Sequence, residues 1–534
     1  MKVLLVQPPI EDFYDTSIRT YPLPLLYLAA KIKEVCDVTV LDLRSNRKRM
    51  LKTNPFPELK PFYRNDAYSP FSLFRSYYRF GMDREEIGQS IRNHKPDIVG
   101  ISSLFTTYAG EALDVARIVK ETDPRIVTIM GGTHPTLFPE HCLHSPYVDY
   151  VIRGEGETPL FELITQLKRG GPEVRSAIPG ISSKNGTGFN ISNIAVEENI
   201  DLIPERKLIK STDYRIGRKP YTFFLTSRGC PFQCAFCGKP PVPYRKRTLQ
   251  SIEEEIRQCV ELGISAVDFE DDMLNLDIPL FSDILEGFRD TGITLSAMNG
   301  LYTGNLTRET LDKMLAAGFR RLNFPLVDRS EAVHNTQKRA FPSRLADLLT
   351  DLESAPFLIE AHFIIGLPGQ KPHDSMDTLI YLMGKRLLPG PSIYYLAPGS
   401  PLFNASCGNG RQEDLKLMRS SALYPANPSF SRETLYTLAK LTRFINFVKN
   451  IIDGNPDVGG LSDIVDVPAI SSKPHDLHIL KQLIFGKQFV RFDTARGDHV
   501  EEPQDRDLVI RFFNEIHGKF IRGFKTMNAV KIDV

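Results

Sequence analysis

What this chain lacks narrows it first. No apolar run approaches the roughly 18 to 20 residues that a membrane span needs, so no span is expected. The amino terminus, MKVLLVQPPI, stops at Pro8 and Pro9, too soon for a secretory core, and reads as a buried first strand. Neither charge dominates: 66 Lys and Arg stand against 65 Asp and Glu, a net +1. That balance removes the counterion-release drive, and no nucleic-acid partner is expected. Cysteines number only seven in 534 residues, an odd count without an export signal. A disulfide framework is thereby excluded, and a reducing, cytoplasmic setting is expected. Four of the seven, Cys36, Cys142, Cys259 and Cys407, stand singly and read as small buried hydrophobes. Internal repeats and low-complexity tracts are absent as well.

What is present is an alternation of strand and helix patterns. Residues 2–6, 37–43, 97–102, 125–130 and 148–152 read as strands, and 23–33, 84–93, 108–121 and 159–169 as helices. A polar, aromatic insertion, about 44–82, has no firm periodicity. Strands apolar on both faces predict a parallel, doubly wound sheet, whose ligands bind beyond the carboxyl ends of the strands. Three loops lie there: Gln7-Pro8-Pro9, Gly131-Gly132-Thr133-His134-Pro135 and Arg153-Gly154-Glu155-Gly156-Glu157. A dinucleotide site is disfavoured, because the loop after the first strand contains no glycine. Around Asn185-Gly186 a hairpin is expected, and 206–220 reads as a linker closing a first domain of residues 1–205.

A second series occupies residues 221–402. Strands are expected near 221–226, 266–269, 293–299, 321–326, 358–365 and 392–396, separated by helices at 251–262, 278–290, 308–317, 343–354 and 373–385. Six such units predict a partial barrel with its chemistry at the carboxyl ends of the strands. Residues 403–534 read as a helical carboxyl-terminal domain, with helices at 432–452, 477–485 and 506–525. In the last, Val509, Phe512, Phe513, Ile516 and Phe520 share a face. That stripe is expected to dock on the barrel, a membrane surface being the alternative.

Within this frame Cys230-Pro-Phe-Gln-Cys234-Ala-Phe236-Cys237 gathers three thiols in one short loop at the end of the first barrel strand. Three thiolates are one short of closing an iron-sulfur cluster or a structural zinc site, which leaves a coordination position for a ligand. Zinc is disfavoured, because no second Cys or His pair lies nearby.

The loop matches C-x-x-x-C-x-Φ-C and thereby resembles the radical S-adenosylmethionine (SAM) enzymes. Thr226-Ser-Arg-Gly-Cys230, Tyr244-Arg-Lys-Arg247 and Gly366-Leu-Pro368-Gly369 agree with it. The resemblance implies that Cys230, Cys234 and Cys237 hold a 4Fe-4S cluster whose fourth iron binds SAM, with Phe236, Gly366 and Pro368 beside it. Reductive cleavage of SAM would start the radical, with an electron from a donor such as flavodoxin or ferredoxin. With a doubly wound domain upstream, the chain looks like the cobalamin-binding branch, and Gly131, Gly132, Thr133, His134, Gly154, Glu155 and Gly156 become the expected corrin contacts. Asp-x-His-x-x-Gly is absent, so a histidine below the cobalt is not expected.

Where many relatives carry Gly-Gly-Glu for the SAM amino group, this chain has Glu270-Asp271-Asp272. Asp271 and Asp272 are the candidates, a solvated acidic turn being the other reading. Asp328 stands where the family often has Glu or Ser. His134 either approaches the corrin or is simply hydrogen-bonded, His362 faces either the barrel or packing, and one of Tyr394 and Tyr395 is expected to face the interior. The activity implied is methyl transfer to an unactivated carbon or phosphorus centre of a small molecule. A cyclase or rearrangement enzyme with the same cofactors, and a non-catalytic cobalamin or redox sensor, are the alternatives.

Overall fold

The computed structural model describes residues 1–14, 21–44, 48–169, 178–240, 242–339, 342, 344–406 and 415–534. Cys407 lies outside them. Strands β1 (Lys2–Gln7), β2 (Asp37–Asp42), β3 (Ile98–Ser102), β4 (Val127–Gly131) and β5 (Tyr150–Ile152) run parallel in the order 5-4-3-1-2. Helices α1 (Leu23–Ile32), α2 (Arg84–His94), α3 (Ala109–Thr122) and α4 (Glu157–Lys168) cover both faces. Asp83 and Glu86 start α2 as a reciprocal capping box. The hairpin around Gly186, β6 (Ile181–Asn185) and β7 (Gly188–Asn190), joins β5 antiparallel and extends the same sheet.

The direction of winding reverses between β1 and β3, and in this architecture that switch point opens a crevice at the carboxyl ends of the strands. Leading away from the sheet, the linker is anchored rather than loose. Arg206 is fully buried and meets Glu255 at 2.6 Å, with a further bond to Thr222.

Six strands then form an open barrel: β8 (Lys219–Phe224), β9 (Ala266–Phe269), β10 (Thr294–Ser296), β11 (Arg321–Val327), β12 (Leu358–Ile365) and β13 (Leu388–Ile393). They pair in two ladders, β8-β9-β10 and β11-β12-β13, which an isolated Leu295–Phe319 bridge joins. Helices α5 (Leu249–Glu261), α6 (Ile278–Phe288), α7 (Arg308–Ala317), α8 (Leu345–Asp351) and α9 (Pro372–Met383) alternate with them. Thr248 and Asp277 cap α5 and α6. The last strand begins four residues before the expected Ser392. Pro389 and Pro391 read as breakers, yet β13 is an edge strand, where a missing donor is tolerated.

The carboxyl-terminal region is not purely helical. Helices α10 (Arg432–Gly454), α11 (Pro474–Ile484) and α12 (Arg506–Ile516) are accompanied by β14 (Val490–Asp493) with Asp498–Glu501, and by Phe520–Arg522 with Ala529–Lys531. Helix α12 stops at Ile516, not at Lys525. Gly518 takes a left-handed φ of 76° and turns the chain into a strand. Val509, Phe512, Phe513 and Ile516 are buried, whereas Phe520 is 55% exposed, and the stripe packs on α10 through Phe513 and Phe444.

The insertion at 44–82 belongs to this region's core. Phe62, Tyr63, Phe71 and Tyr77 are buried in one cluster with residues of α10, α11 and α12. Tyr68 of the short Ala67–Tyr68 strand pairs with Phe492 of β14. Aromatic residues without a period therefore mark a surface that another part of the chain covers. Among the described residues, no helix is long and apolar enough to cross a membrane.

Candidate functional site

The cysteines ride on a hairpin whose base is the two-residue ladder Ser227–Arg228 with Arg245–Lys246. Gly229 enters the loop at φ 84°, where a Cβ would stand 2.4 Å from the Pro243 carbonyl, so only glycine fits. Cys234 is buried, and Cys230 and Cys237 are half-buried. Burial pushes the thiols of Cys230 and Cys237 up, and the nearby Cys234 adds to it. A cationic metal centre would reverse that and favour the thiolates. Arg339 donates to the Cys234 Sγ at 3.7 Å. Among the described residues, the ligand atoms of His134, His141 and Cys142 come within 4.8 Å of one another.

Asp271 is fully buried. Its carboxylate accepts from the Thr226 N–H and from the hydroxyls of Thr226 and Ser227, at 2.6–3.1 Å, and so braces the entry to the cysteine hairpin. Asp272 pairs with Lys239 just past the loop. The residue that sequence reasoning passed over is Glu270. It follows Asp268 on the inner face by period-two alternation, which was the available signal. Asn299 donates to its carboxyl at 3.3 Å, and burial together with Asp268 pushes that carboxyl up to about 7.

Asp328 is also buried, its carboxyl pushed up to about 6 by burial. It accepts from Gln370 Nε2 at 2.6 Å, while Gln370 Oε1 accepts the N–H groups of Gly366 and Leu367. Asp328 thus shapes the glycine loop from behind. The Pro368 carbonyl accepts from Gln337 Nε2, and the Gln337 carbonyl accepts the Ala235 N–H, which ties this loop to the cysteines. Phe236 lies in an apolar cluster with Leu367, Tyr394 and Tyr395. Both tyrosines follow the last strand instead of ending it. His362 is on the inner face of β12, because Ala361 and Phe363 fill the outer one. Its Nε2 is buried without a partner, 3.7 Å from Glu360.

At the switch point lies a cavity of about 310 Å³. Leu5, Ile101, Ile129 and Ile152 form its floor, and Leu25, Leu28 and Leu160 of α1 and α4 its side. Gly131, Gly132, Thr133, Gly154, Glu155 and Gly156 form its rim. The far wall is the cysteine hairpin and its approach: Leu225, Arg228, Pro240 and Val242. Gly154, at φ 90°, presses against the Ala195 carbonyl, 2.2 Å from where a Cβ would sit, so this glycine serves the backbone. His134 is not on the wall. It is fully buried and turned to His141, Nε2 to Nδ1 2.9 Å, and burial pushes its imidazole down to about 3. No described lining residue is His, Cys or Met, so the described lining offers no imidazole or sulfur to a metal.

The rim is held by charge. Burial works against ionisation of Glu155, yet Arg245 and Arg228 outweigh it and hold that carboxyl below its ordinary value.

Fold and site define a class: a doubly wound domain whose crevice is walled by the three-cysteine hairpin of an open α/β barrel. Residues 75–164 match the B12 binding domain model, and residues 224–382 match that of the radical SAM superfamily. Through these two regions the chain resembles the cobalamin-binding radical SAM family. It is 27% identical over 390 residues to an uncharacterized methyltransferase of Pyrococcus horikoshii, covering 71% of this chain and 77% of that one. To the cytidylyl-2-hydroxyethylphosphonate methyltransferase of Streptomyces wedmorensis it is 25% identical over 406 residues, covering 69% and 73%. In fold it resembles the radical SAM methyltransferase TsrM of Kitasatospora setae, solved with cobalamin and a [4Fe-4S] cluster. The TM-score is 0.57 at 18% identity, covering 75% of this chain and 76% of that one.

Proposed function

We propose that the protein is a cobalamin-dependent radical SAM methyltransferase acting on an unactivated carbon or phosphorus centre of a small molecule. The observation that carries this reading is the shared wall: the hairpin bearing Cys230, Cys234 and Cys237 also closes the cavity at the switch point. When bound, the cluster and SAM supply a radical and the corrin a methyl group. Everything else is done by the chain. The thiolates hold the cluster. Glu270, facing the barrel mouth, receives the SAM ammonium, because Asp271 and Asp272 are already engaged by Thr226, Ser227 and Lys239. The apolar cavity between sheet and α1 would hold the corrin, with the glycines of its rim leaving room for close approach. Water is kept from the shared space by the cluster around Phe236 and Leu367.

One line supports methyl transfer: similarity over about 70% of the chain to proteins named as methyltransferases. The electron is expected from a flavodoxin or ferredoxin, in the cytoplasm. Anaerobic preparation with hydroxocobalamin, iron and sulfide tests the reading. The expected product is near one corrin and four irons per chain, with SAM converted to both deoxyadenosine and S-adenosylhomocysteine. A loaded protein that forms deoxyadenosine alone would point to cyclisation or rearrangement. A chain that keeps its cluster but takes up no corrin would refute the proposal.

A further inference from the structure

Arg228 and Arg245 face each other across the ladder at the base of the cysteine hairpin, and all of Cys230–Cys237 lies between them in the chain. Like charges opposed on one ladder repel. Here two carboxylates from a single loop of the amino-terminal sheet hold both. Arg245 grips Glu155 with Nη1 and Nη2, at 2.7 and 2.9 Å. Arg228 donates to Glu157 at 2.6 Å and stands 3.5 Å from Glu155. None of the four side chains is more than 16% exposed. Glu155 is fixed from behind by the Glu197 N–H, whose carboxylate in turn accepts from Thr158 at the start of α4. Arg245 also donates to the Glu197 carbonyl.

We propose that Glu155 with Arg245, and Glu157 with Arg228, form a positioning lock that sets the distance and orientation between corrin and cluster. The inference rests on the function proposed above. A bidentate guanidinium–carboxylate pair fixes direction as well as separation, which a lysine ammonium does not. Glu155 and Glu157 belong to the rim of the corrin cavity, and the arginines belong to the hairpin that presents the thiols. The four charges therefore join the rim of the cavity directly to the base of the hairpin. Arg245 is not part of the cavity wall. It acts through Glu155 and is a positioning residue. Without its charge, Glu155 keeps the Glu197 N–H and the longer contact to Arg228, and the turn at 154–157 loses its bidentate contact to the hairpin.

Arg245→Gln and Arg245→Lys test this in the full-length protein, loaded anaerobically with hydroxocobalamin, iron and sulfide and then reduced. Iron and corrin contents are measured first. Electron paramagnetic resonance then reads the spin–spin interaction between Co(II) and the reduced cluster. The wild type is expected to show one defined splitting. Both variants should load both centres yet replace that splitting by a broadened distribution, with Arg245→Lys the nearer to wild type. If Arg245→Gln does not load, Arg245→Lys is read in its place. A wild-type splitting in a loaded variant overturns the lock alone. A wild-type chain that takes up no corrin overturns the functional reading and the lock with it.

Discussion

At the end of β9 three successive carboxylates meet three environments, and the differences translate into different losses. Glu270 is half-buried at the barrel mouth, whereas Asp271 is enclosed by donors from the hairpin. Glu270→Gln removes a charge-assisted partner for the SAM ammonium, worth about 1.5–3 kcal/mol, and is expected to weaken SAM binding about ten- to hundred-fold by titration calorimetry. Asp271→Asn instead strands buried donors and is expected to lower stability by about 2–3 kcal/mol in a denaturant melt. The sign of the pH dependence follows from the direction of the Glu270 shift. Its carboxyl titrates near about 7, so SAM affinity should rise as pH increases from 6 to 8 in the wild type and stay flat in Glu270→Gln. For folding the same shift runs the other way. The folded state holds this proton more tightly, and the contribution is lost as pH rises from the ordinary carboxyl range through about 7.

At the scale of elements, Phe512 and Phe520 separate two meanings of one apolar stripe. Phe512→Ala is expected to cost about 3–5 kcal/mol, because its ring is fully buried in the core. Phe520→Ser should change stability by about 0.5 kcal/mol or less, since the ring stands on an exposed strand. Periodicity counted both as one helix because Phe520 follows Ile516 by four residues, and it could not see that Gly518 turns the chain. The same limit runs through the rest. The alternating strands and helices were legible because each buries its own regular face. Prolines concealed only the first half of β13, whose tolerance for them depends on its place at an edge. The cysteine loop was legible because its chemistry is local. The assignment of Asp271 and Asp328 was not, since Thr226, Ser227 and Gln370 compete for their oxygens only in the folded chain. Glu155 read as a corrin contact, and its second role required Arg245, ninety residues away.

For the whole molecule, the decisive contacts are between segments far apart in sequence. The Tyr436 hydroxyl donates to the Phe62 carbonyl, Arg491 to the Pro61 carbonyl, and Arg443 to Ser72 and Leu73. A chain ending at Leu402 leaves Phe62 and Phe71 without their cover. It is expected to aggregate or to bind a hydrophobic dye, whereas the full-length protein sediments as a folded species. A soluble, dye-silent truncated chain would show that the insertion needs no such cover.

The same pairing has a consequence during synthesis. Residues 44–82 leave the ribosome hundreds of residues before α10 and β14 exist to receive them. For most of translation the amino-terminal sheet therefore carries an unfinished flank, and its aromatic side chains are open to chaperones. Burial of those rings has to wait for α10 and β14, and a ribosome stalled in the barrel would release a nascent chain that has the whole 230–237 loop but an uncovered insertion.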